Sequence, residues 1–273
     1  MATPFEISDR FTDRLAALDP ILATHAGISG HDHECTDYSP DGVAARADLC
    51  RETRDELAPH LGQDDETQAF AAMVLTGWLD EQLGKFEARD WRRDINHVWS
   101  PFQNMRDVFD VMGKDTPVDW EVIASRLEGF PGMLEGYRQS LEVGLDAGDT
   151  VAIRQAESVL EQANAAASDR SRFLGLLEEA DAVGARTERL EKGVQATRVG
   201  NGEFATWLRD EYLPAARSED AVGREEYLRG ADEFLGMTID PEETYEWGWD
   251  EVHRLRAAMA ETASEIDPGL SIS

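Results

Sequence analysis

The densest concentration of metal-binding side chains lies between positions 25 and 35. His25 precedes the run HDHEC, which sets His31, His33 and Cys35 two residues apart with Asp32 and Glu34 between them. Each of these side-chain types can bind zinc. Structural zinc sites, however, take paired ligands at C-x₂₋₄-C or H-x₃₋₅-H spacing and need a second pair elsewhere, which this sequence does not provide. The expectation is a loop ordered by Asp and His hydrogen bonds, with no metal. Asp250 and His253 stand at i, i+3, with Glu243 and Glu246 on nearby turns. They echo the Glu-x-x-His of carboxylate-bridged di-metal bundles, but such a bundle needs two of these motifs and only one is visible. A solvated polar face is expected there. Trp247 and Trp249 of the same segment diverge by about 200° on a helix, so they cannot both face one core, and one is free to sit at an interface.

Complete catalytic signatures are missing. The sequence contains no H-E-x-x-H, no G-x-S-x-G, no G-x-x-x-x-G-K-[ST] and no dinucleotide glycine fingerprint after a strand. A zincin holds its metal with two His at i, i+4 and uses the intervening Glu as base, yet none of the six His here has another four residues away. The expected catalytic and metal-ligand sets are therefore empty. Asn96, His97, Trp99 and Gln103, in or beside the aperiodic run WRRDINHVWSP, are the candidates for lining a substrate groove. Capping and core packing account for the same residue types equally well.

The elements that position these residues read as helices. Phe5, Phe11, Leu15 and Leu18 recur at helical spacing after Thr3-Pro4, predicting a helix over 4–18 that Asp19-Pro20 closes. The following segment shows neither helical nor strand period and reads as a loop over 19–41, with the next helix starting near Asp41. Stripes at Val43 to Leu57 and Phe70 to Phe86 predict a helical hairpin, and Phe102 to Met112 a further helix. Thr116-Pro117 opens a long helix with a kink expected at Pro131-Gly132. Asp149 is the expected N-cap of one helix running from Thr150 to about Val183, and further helices fit 203–216, 219–235 and 241–265. Strand alternation is nowhere sustained and no repeat of fixed period emerges. The fold class is all-α, an irregular array of long helices. The closing DPGLSIS is too short to form another packed element, so the chain stops directly after a long helix.

Composition narrows the partners. With 56 Asp and Glu against 26 Lys and Arg, the net charge of −30 repels phosphate backbones and anionic membrane surfaces, so nucleic acid is a poor candidate partner and none is expected. At 41% hydrophobic residues and seven Trp, a chain of 273 residues builds a core without disulfides or a structural metal. No stretch reaches the roughly 18 to 20 apolar residues of a membrane span. The opening residues do not resemble a signal peptide, and with only Cys35 and Cys50 the expected location is cytoplasmic.

Four segments together resemble one family. DPILATHAGISGHDHECTDYSPDG is similar to the early segment of the bacterial family of domain of unknown function 885. The stretches SPFQNMRDVFDVMGKDTPVDWEVIASRLEGFPGMLEGYRQSLEVGLDAG, EYLP and GREEYLRGADEFLGMTIDPEETYEWGWDEVHRLRAAM follow in the same order. That family is zincin-like, with helical members about twice this length whose H-E-x-x-H-type motif lies in the second half. The resemblance implies that residues 1–273 are the N-terminal helical half of such an architecture, incomplete without a downstream catalytic half. It implies a wall of a channel for a peptide-like substrate, with zinc supplied by the missing half and no cofactor in this chain. By this reading the chain alone is inactive. The alternative is a non-enzymatic helical binding or scaffold protein.

Overall fold

The computed structural model describes residues 2–267, and among them every regular element is helical, as the apolar spacing predicts. The final residues 268–273, where no packed element is expected, lie outside the described residues. Helix α1, Pro4–Leu18, begins at a capping box in which the Thr3 hydroxyl accepts from the Glu6 amide and the Glu6 carboxylate accepts from the Thr3 amide. The expected loop over 19–41 is shorter than predicted. Asp19 ends α1 and also caps a second helix, α2, Pro20–His25, its carboxylate accepting from the Leu22 amide. Proline at the first helical position carries no N–H to strand, so Asp-Pro here starts a helix instead of opening a loop. Helix α3, Pro40–Leu57, repeats the device with Ser39 as cap. It packs in a hairpin on α4, Glu66–Glu87, and with α1 the pair encloses Ile7, Phe11, Leu49, Leu57, Leu79 and Leu83.

The larger core belongs to five further helices: α5, Pro101–Val111; α6, Pro117–Asp146; α7, Ile153–Ala167; α8, Arg172–Ala182; and α9, Glu188–Trp207. Phe130 of α6 meets Phe173 of α8 edge-on at 5.4 Å, and Phe109 of α5 joins them at 5.8 Å from Phe173. Two expectations fail in this region. The predicted single helix from Thr150 to Val183 is two, α7 and α8, broken at Ser168-Asp-Arg-Ser171. There the Ser168 hydroxyl donates to the Ala165 carbonyl and the Ser171 hydroxyl caps α8, local bonds that compete with helix continuation. Asp149 does not cap α7. It accepts from Arg93 at 2.8 Å, while Ala152, bridged to Arg217, stands at the cap position.

The second failure concerns α9, which starts at Glu188 and not near 203. Its buried face is built of Leu190, Gly193, Val194, Thr197, Gly200, Asn201 and Phe204, too few of them large and apolar to register as a stripe. The small residues serve close approach to α6. A Cβ at Gly193 would lie 2.9 Å from the Leu127 Cβ. After Trp207 the chain widens into a π turn, Leu208–Tyr212, and then a 3₁₀ turn, Leu213–Ala215, where a helix to 216 was expected.

Pro131 stands inside α6, and the helix continues through it. Proline has no N–H to give to the carbonyl four residues earlier, here Leu127. The Thr197 hydroxyl of α9 donates to that carbonyl at 3.3 Å in its place. Thr197→Val is expected to cost about 1–2 kcal/mol by leaving a buried carbonyl unpaired. The cost should shrink in a Pro131→Ala background, where residue 131 supplies its own amide. Thermal unfolding of the four proteins of this cycle checks it, and equal costs in both backgrounds would refute the substitution of one donor for the other.

Residues up to Asp220 form one compact unit, and those from Ala221 onward a second. The second contains α10, Arg224–Leu235, which starts after Gly223 and not at 219 as expected, and α11, Pro241–Ile266, close to its expected limits. Neither helix has a buried residue. No helix among the described residues is long and apolar enough to cross a membrane.

Candidate functional site

The aperiodic segment between α4 and α5 is held by an amide network. The Asn96 side-chain oxygen accepts from the amides of Val98 at 2.9 Å and Trp99 at 2.5 Å, and its NH₂ donates to the Trp99 carbonyl. This is a side-chain-closed turn of the kind Asn favours. Gln103, buried at 2% exposure, donates to the Asn96 carbonyl and to the Gln162 side chain, each at 3.1 Å, and accepts from the Ser100 hydroxyl. From α7, Gln155 meets His97 at both its backbone amide, 3.1 Å, and its ring Nδ1, 3.0 Å. Gln162 donates to the His97 carbonyl.

The structure therefore brings Asn96, His97, Trp99 and Gln103 together in one place but gives them two kinds of work. Asn96 and Gln103 have their amides occupied in holding the backbone. His97 and Trp99 face solvent, Trp99 at 69% exposure with Val98 beside it at 64%. The chemical capacity of the site is thus an apolar aromatic contact flanked by one imidazole, presented on a fixed loop. Asp149 and Arg93 and the hydrogen bond from the Tyr137 hydroxyl to the Asp94 carbonyl, 2.6 Å, anchor the loop's start to α6 and the turn after it.

The HDHEC run is organised by a residue that sequence reading missed. Arg126 of α6 is wholly buried, and its guanidinium donates to the carbonyls of Glu34 at 3.0 Å, His31 at 2.9 Å and Pro20 at 3.3 Å, and to the Thr24 hydroxyl at 2.9 Å. Thr24 passes its own proton toward Asp32 at 2.6 Å, so a carboxylate lies one hydroxyl away from the buried cation. Burial pulls the Arg126 guanidinium below its ordinary value, and nearby Cys35, Asp32 and Glu34 oppose that pull. The available signal was the position of a charged residue within the apolar stripe of α6, between Ile123 and Phe130.

Around this hub His31 contacts Glu34 at 2.9 Å, His33 is exposed, and the Cys35 thiol donates to the Arg126 carbonyl at 3.6 Å. Burial pushes the Cys35 thiol up, and the neighbouring Arg126 opposes that push. His31 and His33 thus share the Glu34 carboxylate while Cys35 turns to the Arg126 carbonyl, and the three are not grouped around one metal position. His25 reaches the Asn104 carbonyl at 3.4 Å instead. On α11 the His253 ring lies against Trp249 at 6.0 Å. Among the described residues no three His, Cys, Asp or Glu side chains are placed to hold one metal ion, Glu243, Glu246, Asp250 and His253 included.

Residues 20–271 match the model of a family described as bacterial protein of unknown function, DUF885. The chain belongs to the DUF885 family. Among solved structures this DUF885 chain is similar to a "putative lipoprotein of unknown function" from Shewanella oneidensis, with 14% sequence identity and a TM-score of 0.73. The alignment covers 100% of this chain and 50% of that one, so the DUF885 chain spans half the length of the structure it matches. At that identity the likeness is one of fold. No curated protein matches the chain.

Proposed function

We propose that this chain forms the substrate-enclosing helical part of a zinc-dependent, peptidase-like hydrolase, whose zinc-binding residues lie in a further half of the polypeptide. The observation that supports the reading is the match of the whole chain to half of a longer structure. The residues present do not fit zinc, so no chemical step is assigned to them. Their part is to receive a peptide-like substrate, with Trp99 and Val98 as the apolar contact and His97 as a polar neighbour, on the loop that Asn96 and Gln103 hold. A cytoplasmic location belongs to the same reading.

The test is an assay against a mixed peptide library with added zinc, first on the 273-residue chain and then on the polypeptide extended through the downstream coding region. The short chain is expected to be inert, and the extended one to cleave in a chelator-sensitive manner. In the extended protein Trp99→Ala is expected to raise KM about tenfold with kcat retained, because a contact made equally in ground and transition states affects binding alone. Chelator-sensitive cleavage by the short chain would overturn the proposal, as would an inert extended protein. A second reading, a non-enzymatic binding or scaffold protein, is favoured by the structural engagement of Asn96 and Gln103, and an extended protein without activity would select it.

A further inference from the structure

The helix α11 carries an apolar stripe that the described residues leave uncovered. Tyr245, Trp249, Val252, Arg256, Met259, Ala263 and Ile266 recur at alternating intervals of four and three. This spacing keeps them on one face for about six turns. The large apolar members range from 37% to 76% exposed. Gly248 and Leu255 widen the band on one side. It then occupies roughly three positions in seven, the proportion of a helix set into a globular core, whereas a two-stranded coiled coil uses two. A continuous exposed apolar face of this kind marks a contact site.

Resting on the reading that the chain is one half of a longer protein, we propose that this stripe is the seam on which a further helical layer of the same polypeptide, encoded downstream of Ser273, packs. The layer brings a carboxylate opposite Arg256. Two observations favour that occupant. The matched structure is twice the length of the aligned region, so it contains a further half able to supply the cover. Arg256 sits at the midpoint of the stripe and makes no ion pair among the described residues, whereas Arg254 on the opposite face is paired with Glu251. A second copy of this chain laid along the stripe, parallel or antiparallel, would set Arg256 against Arg256, and the net charge of −30 on each copy adds further repulsion. A downstream layer escapes the first of these conflicts.

The experiment compares Val252→Glu, Met259→Glu and Arg256→Glu in the polypeptide as encoded through its stop codon with the same substitutions in the chain ending at Ser273. In the full polypeptide each is expected to lower the melting temperature by about 5 °C or more and to shift tryptophan emission to longer wavelength. In the chain ending at Ser273 the melting temperature should move by no more than about 1 °C, because the sites are already in water. A reading frame that ends at Ser273 would overturn the inference together with the proposed function. A full polypeptide indifferent to the substitutions would overturn the seam alone and leave the hydrolase reading to the peptide assay. Destabilisation without any peptide cleavage would uphold the seam and defeat the hydrolase. Sedimentation showing a dimer of the 273-residue chain that Met259→Glu dissolves would make a second copy the occupant and refute the proposal.

Discussion

Replacing Arg126 with methionine is expected to lower the stability of the first unit by about 3–5 kcal/mol, which for a unit of this size is a fall in melting temperature of about 8–15 °C. Methionine keeps the length and apolar character of the stem but offers no donor. The Glu34 carbonyl would then lose its partner and the Thr24 hydroxyl its guanidinium donor, while the His31 carbonyl keeps the Glu34 amide and the Pro20 carbonyl keeps the Thr24 hydroxyl. An unpaired buried acceptor costs about 1–3 kcal/mol and each lost hydrogen bond to the charged guanidinium about 1.5–3 kcal/mol, and rearrangement of the 26–39 loop recovers part of that sum. Arg126→Lys should fall between, since an ammonium retains the charge but cannot span four acceptors with a planar fork. Calorimetric unfolding of the three proteins tests this, and a methionine variant within about 1 kcal/mol of the parent would show that the buried cation is dispensable.

Gly144→Ala is expected to cost about 2–4 kcal/mol, against the ordinary gain from placing alanine in a helix. At this position in α6 a Cβ would lie well inside contact distance of the Arg92 carbonyl oxygen and 2.8 Å from that of Asp149. Both obstacles are backbone, so neither can swing aside as a side-chain tip would. The 3₁₀ turn Asp90–Arg92 would have to lift away from α6, pulling on the segment that leads to Asn96. Gly175→Ala in α8 is the control, because nothing lies within 4 Å of its added Cβ. That change should be neutral or stabilising by up to about 1 kcal/mol. Denaturant unfolding that found the two substitutions equivalent would contradict the packing argument.

Helix class and most helix starts were legible because the cues are local. Thr3-Pro4, Ser39-Pro40, Thr116-Pro117 and Asp240-Pro241 each place a capping side chain before a proline that has no amide to satisfy. The start of α9 was hidden because glycine, threonine and asparagine interrupt the apolar residues of its buried face, serving close approach to α6 and carrying little hydrophobic signal. The break between α7 and α8 was hidden for a related reason, since alanine-rich flanks continue the helical period across Ser168 and Ser171.

The candidate site was legible in residue types and not in roles. Asn and Gln in an irregular segment suggested a groove, but which amides are engaged with their own backbone depends on Gln155 and Gln162, over fifty residues away in sequence. The same distance concealed Arg126, whose acceptors lie about a hundred residues upstream. Long-range side-chain-to-backbone bonds leave no periodic trace in a sequence, whereas caps and stripes do.

The amide network around Asn96 has a consequence for how anything could be recognised there. A mobile loop that closes on a ligand loses its conformational freedom at the moment of binding, and affinity falls by that amount. Here the freedom of residues 96–100 is lost when the protein folds, because side chains from α5 and α7 fix the turn before any partner arrives. A molecule that docks on Trp99 therefore meets a stiff tip. Discrimination at such a tip comes from shape and hydration, with little contribution from adaptation of the loop to its guest.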